Sequence, residues 1–212
     1  RTTGDCIMST VLWDDVLPLI TPELTTCPEA TIKEYLPIVA SDFFRRTHLW
    51  RITLDSVNTV VDQSSYDICA PYFDSVVESV QWIKVDDKKM THTDERLVNP
   101  EYLDRTGQPT HFWVENDTAI RLFYTPDQVW TLQGEVVLKP KRTARGVPGW
   151  IYETWIDTII SGTIYRLCRI RNKDWSDPEF AALHKNIYEQ GVTDSRIRDL
   201  RGVHLQVRMR NF

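Results

Sequence analysis

Few residues in this chain have the types and spacing that covalent or acid–base chemistry needs. Cys168 and His184 fall on adjacent predicted helices, where a thiol and an imidazole could meet as a nucleophile and its base. A buried thiol beside a core histidine is the commoner arrangement, and we favour it here. The paired carboxylates Asp14-Asp15 and Asp86-Asp87 fit the first turn of a helix and a hairpin turn. We therefore predict that the chain has no catalytic residues and is not an enzyme.

Sequence motifs for nucleotide, metal and acyl-transfer sites are also missing. The chain contains no G-x-x-x-x-G-K-[ST], no G-x-G-x-x-G, no G-x-S-x-G and no H-E-x-x-H. The cysteines are scattered at Cys6, Cys27, Cys69 and Cys168, without a C-x-x-C pair, and no histidine stands at the spacing of zinc ligands. We expect reduced thiols, no metal site and no cofactor.

The composition is that of an ordinary globular protein. The 212 residues are 42% hydrophobic and 26% charged, which is enough to bury a sizeable core. No apolar run approaches the roughly 18 to 20 residues that cross a bilayer, so we expect no membrane partner. The net charge of −5 disfavours a protein whose main task is to grip nucleic acid, because that task needs a basic surface.

Eight tryptophans raise one alternative function, a non-enzymatic module that binds a carbohydrate or a peptide. Aromatic rings stack on such ligands only where they are exposed. The pattern instead favours structural roles: Trp155 on a core helix, Trp13 and Trp175 at helix starts, and Trp82, Trp113 and Trp130 in strands. We therefore favour structural roles for the tryptophans and keep the binding module as the alternative function.

The strongest structural signal is a long apolar helix between Pro148 and Arg171. Its apolar residues recur at spacings of three and four, among them Trp155, Ile159 and Leu167, so that one broad face is buried. Gly162 lies at the edge of that face, where it costs about 1 kcal/mol relative to alanine unless something packs closely there. We predict that this is the core helix, and that another backbone approaches it at Gly162.

Helices flank a β-rich middle. A short helical turn begins at Trp13, a second helix follows Cys27-Pro28, and the last helix begins at Pro178 with Asp177 as its cap. The prediction is an α+β protein: a small antiparallel helix bundle with an inserted β-rich domain and an extended C-terminal tail. Its parts are an N-terminal arm with the first bundle helices (1–50), the β-rich insertion (51–145), the central and last bundle helices (146–200) and the tail (201–212).

Four strands can be assigned within the β-rich part, because its hydrophobic period is two. They cover 76–85, 110–115, 118–125 and 132–141, with Asp86-Asp87 and Asn116-Asp117 as turns. The polar segment 91–109 is predicted to be a long exposed loop, and such loops are often contact surfaces. Residues 1–12 show no clear pattern and are expected to form an arm.

The last residues of the chain alternate in polarity. Val203, Leu205, Val207 and Met209 fall on one side of an extended chain, and His204, Gln206, Arg208 and Arg210 fall on the other. A strand of this kind can add to the edge of a partner's sheet, with Phe212 as an apolar anchor. We predict that the tail is an extended strand that requires a partner.

Several stretches resemble the head-to-tail adaptor, or connector, proteins of tailed bacteriophages. The first are WDDVLP at 13–18, Cys27-Pro28 and DFFRRTHLW at 42–50, which are similar to that family's first helix with its aromatic and double-basic end. The others are WIDTIISG at 155–162, Leu167 and KDWSDP at 173–178, which are similar to the family's later helix, tight turn and last helix. The resemblance covers most of the chain from Trp13 onward.

The resemblance implies a structural virion protein of the neck, between capsid and tail, that is assembled in the host cytoplasm. Its subunits would form a closed ring, a dodecamer in this family, below the portal protein and against a tail or nozzle protein. Genomic DNA would pass through the channel without tight binding. The residues expected to bind the portal are Val203, Leu205, Val207, Arg208, Met209, Arg210 and Phe212, while Trp155, Ile159, Gly162 and Leu167 would pack the core helix.

Overall fold

The structure is a computed structural model that describes residues 10–72, 74–94, 96, 105–115 and 119–200. This part of the chain contains four helices and several β-sheets, which confirms the predicted mixed α+β class. The helices are α1 (Trp13–Ile20), α2 (Glu29–Thr47), α3 (Gly149–Cys168) and α4 (Pro178–Leu200). The strands are β1 (Thr10–Leu12), β2 (Arg51–Thr53), β3 (Val57–Asn58), β4 (Ser65–Asp67), β5 (Ser75–Val85), β6 (Lys88–Lys89), β7 (Thr91–His92), β8 (His111–Glu115), β9 (Ala119–Phe123), β10 (Thr131–Pro140) and β11 (Gly146–Pro148).

The chain divides into two compact units. The helical unit consists of the described parts of Arg1–Leu49 and Pro140–Phe212, with all four helices, β1 and β11. The β unit consists of the described parts of Trp50–Lys139. The helical unit is therefore built from two stretches of the chain, one that precedes the β unit in the sequence and one that follows it.

The helical unit is organised around α3, which packs against both α4 and α2, while α1 packs against α2. The residues that meet between α3 and α4 are Cys168 with Asp177, Gly162 with Tyr188, and Thr158 with Gly191. These pairs step in opposite directions along the two helices, so α3 and α4 run antiparallel. Ile159 and Leu167 of α3 are completely buried.

Two features of α3 differ from the prediction. Trp155 is only partly buried: its ring lies 6.0 Å from that of Phe43, and the Arg198 guanidinium lies over it. The helix also ends at Cys168, before Arg171, because the chain turns there. The carbonyl of Cys168 accepts hydrogen bonds from the Asp177 amide at 3.2 Å and the Ser176 hydroxyl at 3.4 Å.

α4 begins where the sequence predicts. Pro178 occupies the first helical position, where its missing N–H costs nothing. The Asp177 carboxylate accepts hydrogen bonds from the amides of Glu179 and Phe180, each at 3.0 Å, and so caps the helix. The predicted cap at Asp177 is confirmed.

Gly162 of α3 lies where side chains of both α2 and α4 approach the helix. A Cβ atom built at this position would lie 2.7 Å from the Tyr188 ring of α4 and 2.7 Å from Val39 Cγ1 of α2. The prediction that something packs closely here is met by side chains, which are the nearest neighbours, and not by the backbone that the sequence suggested. Neither a ring nor a β-branched side chain yields easily, so only glycine fits here without a shift of the packing.

The segment before α1 is paired, which corrects the expectation of an arm without structure for residues 10–12. β1 pairs antiparallel with β11, and Val11 lies opposite Val147. The Trp13 amide donates to the Arg145 carbonyl at 2.9 Å, and its indole N–H donates to the Ala144 carbonyl at 2.7 Å. The start of α1 is thereby attached to the chain that enters α3.

The β unit contains two sheets. The five-stranded sheet has the order β2-β10-β5-β6, with β3 also paired to β10, and the four-stranded sheet has the order β4-β9-β8-β7. The pairs β2–β10, β3–β10, β4–β9, β5–β6 and β8–β9 are antiparallel, whereas β7 runs parallel to β8. The two ends of the unit are joined, because the Leu138 amide donates to the Trp50 carbonyl at 2.7 Å.

The predicted turn at Asp86-Asp87 is confirmed, and both residues have positive φ, at 45° and 64°. The predicted turn at Asn116-Asp117 lies outside the described residues. Part of the predicted loop at 91–109 is instead β7, whose Thr91 lies opposite His111. A two-residue strand has too short a pattern to be recognised from the sequence.

We predict that Gly162→Ala destabilises the protein by about 1 to 3 kcal/mol, even though alanine is the better helix former by about 1 kcal/mol. The added methyl group must displace Tyr188 or Val39. Chemical denaturation followed by circular dichroism measures the change. Thr154→Ala, at an exposed position of the same helix, is the control and should change stability by less than about 0.5 kcal/mol. A variant at Gly162 as stable as the control would show that the packing relaxes freely.

Candidate assembly surfaces

Cys168 and His184 do not form an activated pair. Burial raises the pKa of the Cys168 thiol, which is the opposite of what a nucleophile requires. Nε2 of the buried His184 lies 3.2 Å from a Glu23 oxygen, and its ring stands edge-on to Phe180. Within the described residues, no group of three or more His, Cys, Asp or Glu side chains is placed to hold a metal ion.

Three helices meet at a polar cluster that we call the Asp42 junction. It consists of Asp42 and Arg46 of α2, Arg166 of α3, and Tyr188 and Glu189 of α4. The Tyr188 hydroxyl donates to Asp42 Oδ2 at 2.9 Å, and Arg166 Nη2 lies 3.4 Å from the same oxygen. Arg46 donates to both oxygens of Glu189, with Nη1 to Oε1 at 2.9 Å. The sequence analysis did not identify this cluster.

The electrostatics of the junction favour the bonds that it makes. Burial, followed by the nearby Asp42 carboxylate, raises the pKa of Tyr188 well above its usual value. The phenol therefore stays protonated and keeps its donor at neutral pH. The hydrogen bond from Arg46 lowers the pKa of Glu189 and keeps that carboxylate ionised. Both effects hold α4 against α2.

A cationic groove follows the turn between α3 and α4, and we call it the turn groove. It encloses about 510 Å³. Its charged lining residues are Arg169, Arg171 and Lys185, and among the described residues that line it there is no carboxylate. Arg169 is partly fixed, because its Nη1 donates to the Tyr165 hydroxyl at 2.7 Å. The groove suits an acidic partner surface.

The β unit exposes several valine side chains on two neighbouring segments. Residues 57–62 run beside 126–132, because β3 pairs with β10 and the pairing continues through the Thr59 amide to the Trp130 carbonyl. The exposed side chains on these two segments are Val57 (51%), Val60 (55%), Val61 (46%) and Val129 (63%). Clustered exposed apolar groups of this kind mark contact surfaces.

A groove of about 450 Å³ opens beside these valines. Its lining includes Val57 and Ile68 as apolar walls and the carboxylates of Asp55 and Asp67, which are on exposed residues. Ile83 of the five-stranded sheet and Ile120 of the four-stranded sheet also line it. We call this side of the β unit, from Asp55 to Asp67 with Val129, the acidic edge.

Comparison with protein families identifies the chain. A family model for SU10 adaptor proteins matches residues 12–210, which is almost the full length. The chain belongs to the SU10 adaptor protein family. The match includes the stretches at 13–50 and 155–178 that resemble phage adaptors, and it supports that resemblance at the level of the family. A comparison with curated proteins found no match.

Membership in the SU10 adaptor protein family suggests a structural, non-enzymatic component of a phage virion. The burial of the tryptophans bears on the alternative of a carbohydrate- or peptide-binding module.

Trp13, Trp50 and Trp113 are buried, so they cannot stack on a sugar, while Trp150 is 36% exposed. No helix in the described ranges is both long and apolar enough to span a bilayer.

The structure places only one of the two predicted sets of site residues. Ile159, Gly162 and Leu167 lie in the packed centre of the helical unit, and Trp155 lies at its margin. The residues predicted to bind the portal lie outside the described part of this SU10 adaptor family member: Val203, Leu205, Val207, Arg208, Met209, Arg210 and Phe212.

We predict that the contribution of Glu189 to stability depends on pH. Its pKa is lowered from the usual 4.5 in the folded state, so its stabilisation is present above about pH 4.5 and is lost as the pH falls through the lower folded value. Glu189→Gln should therefore cost about 0.5 to 1 kcal/mol at neutral pH and much less in acid. Thermal melts across this range measure the difference.

The matched control for this test is Glu153→Gln, which removes an exposed carboxylate from α3. Its effect should be small at every pH. A cost of Glu189→Gln that stays constant into acid would show that the ion pair with Arg46 is not its source.

Proposed function

We propose that this protein is a head-to-tail adaptor subunit that forms a ring below the portal, joins head to tail and lines the DNA channel. One observation carries the proposal: the SU10 adaptor family model matches residues 12–210. The turn groove and the acidic edge add support, because a protein that works through contacts needs charged and apolar surfaces of this kind.

The finer architecture belongs to the same proposal. The antiparallel helices would form the small bundle of each subunit, and the C-terminal tail would extend from it to the portal. The partners are the portal protein, a tail or nozzle protein, and further copies of the chain in a dodecamer. Such a ring stands in the neck of the virion and requires contacts between unlike surfaces of neighbouring subunits.

Genomic DNA would pass through this ring without tight binding. The net charge is −5, and Asp14, Asp15 and Glu29 are exposed carboxylates of α1 and α2. A wall of this sign repels a polyanion, whereas strong contacts with phosphates would hold it in place. A tight filter-binding isotherm for duplex DNA at physiological salt, with a steep salt slope, would contradict this proposal.

A carbohydrate- or peptide-binding module is the alternative function. It requires exposed aromatic rings that converge on one site. The burial of Trp13, Trp50 and Trp113 excludes these three rings from such a site. No observation in the described residues favours this module over the adaptor.

We predict that the isolated protein is monomeric or weakly associated and forms its ring on contact with the portal. Its helices make a self-sufficient core, whereas the tail needs a partner. Light scattering on the protein alone and negative-stain images with the portal test this prediction. A stable large ring of the protein alone, at micromolar concentration and moderate salt, would disprove it.

We predict that deleting residues 203–212 abolishes co-sedimentation with portal-containing heads and leaves the melting temperature almost unchanged. A strand added to a sheet edge supplies backbone hydrogen bonds, and Phe212 in a pocket would add about 2 kcal/mol or more. Each exposed arginine would add about 1 kcal/mol or less. If the truncated protein docks normally, the tail does not connect the adaptor to the portal.

Two point variants separate these contributions. Phe212→Ala should weaken docking more than Arg210→Ala, because burial of the ring outweighs a solvated charge pair. Equal losses for the two variants would show that charge contributes as much as the anchor.

A further inference from the structure

The β unit has a second charged side, which lies opposite the acidic edge. In the five-stranded sheet, β3 lies beside β10 towards one end and β6 is the last strand at the other. In the four-stranded sheet, β4 is at one end and β7 at the other. Only Met90 separates β6 from β7, so these two strands share a side. We call this side, from Lys88 to His92, the basic edge.

The two edges differ in charge. Lys88 and Lys89 form the whole of β6, and both are exposed. Both residues of the adjoining turn, Asp86 and Asp87, are exposed, and Asp86 accepts a hydrogen bond from the Thr131 amide at 2.9 Å. On the other side, the sequence has no lysine or arginine from Ile52 to Ile83, and the acidic edge carries the exposed carboxylates of Asp55, Asp62 and Asp67.

Neither edge can pair with its own kind. Two acidic edges repel each other across a contact, and so do two pairs of edge lysines, which is how many sheets avoid edge-to-edge association. Opposite edges attract. The neighbouring cation Arg121, opposite Ser65, is half-buried with its guanidinium over the Trp113 ring and leaves the acidic character of that edge intact.

We propose that the basic edge of one copy docks on the acidic edge of the next copy, and that this contact repeats around the ring. Lysine fits the groove in both of its parts. The four-carbon stem can lie along Val57 and Ile68, while the ammonium group reaches Asp55 and Asp67. The exposed valines then bury their branched side chains against the neighbouring subunit, which supplies the apolar part of the contact.

The contact is head-to-tail, since it joins two different surfaces that lie on opposite sides of the unit. Contacts of this type generate closed rings or open helices, whereas a contact of like surfaces stops at a dimer. The inference therefore rests on the proposed adaptor ring and adds to it the surfaces that join neighbouring subunits. In this arrangement the exposed valines of one subunit are covered by a different surface of the next subunit, and not by a copy of the same surface.

The test uses two charge-reversed full-length proteins. One carries Asp55→Lys with Asp67→Lys, and the other carries Lys88→Asp with Lys89→Asp. Each is mixed alone with the purified portal, and ring formation is counted in negative-stain images. Either variant alone should form rings about tenfold less often than the wild type, because like charges then face each other. An equimolar mixture should recover to within about twofold of the wild type.

The recovery is specific to this arrangement. In the mixture, an unchanged lysine edge meets an unchanged acidic edge, and a reversed lysine edge meets a reversed acidic edge, so the two proteins alternate around the ring. Glu153→Lys with Asp157→Lys, on an exposed face of α3, is the control for an equal change of charge and should form rings normally. Circular dichroism confirms that all variants are folded.

Two outcomes would overturn the inference while the adaptor ring stands. Rings that form normally from either variant alone would show that these edges do not touch. Failure of the mixture, with both variants folded and the wild type assembling, would assign the edges to contacts with another protein. If the wild type forms no ring on the portal, the proposed function fails and this inference fails with it.

Discussion

The close contact of three helices at Gly162 is the constraint on which the rest of the structure depends. Val39 comes from the sequence before the β unit, and Gly162 and Tyr188 come from the sequence after it. The helical core can form only when these distant stretches meet, so the whole segment between them is closed as a loop. The entropy cost of closing a loop grows slowly with its length, and the burial of Phe43, Ile159 and Leu167 offsets it. The Asp42 junction shares Tyr188 with this contact. It fixes the relative position of the helices, because its hydrogen bonds form in only one arrangement.

The sequence predicted those features whose signal is local. The spacing of apolar residues located α3, and Asp177-Pro178 located the start of α4, because periodicity and capping act within a few residues. Trp155 belongs to the same apolar stripe of α3 as Ile159. Its exposure, however, depends on where the neighbouring helices α2 and α4 end, and the spacing of residues within α3 carries no information about that. β1 was missed for a related reason: a three-residue strand has almost no pattern, and its partner β11 lies far along the chain.

The candidate surfaces were harder still to predict. Valines such as Val57 and Val60 are typical of strand interiors, so their β-propensity favoured burial. Their exposure follows from a position at the side of the sheet, which is decided by the order of the strands. At the Asp42 junction, the pairing of Asp42 with Arg45 and Arg46 could have been read from helical spacing. Tyr188 and Glu189 could not, since they arrive from a different helix.

The hydrogen bond between Leu138 and Trp50 has a consequence for how such a chain can change over generations. The chain enters and leaves the β unit at neighbouring positions, because its first residue, Trp50, is hydrogen-bonded to Leu138 near its end. A genetic exchange between these two points could therefore bring in a segment of different length without separating the residues that meet at Gly162. Related members of the SU10 adaptor protein family could in this way keep one helical scaffold and differ in the β unit that is inserted into it.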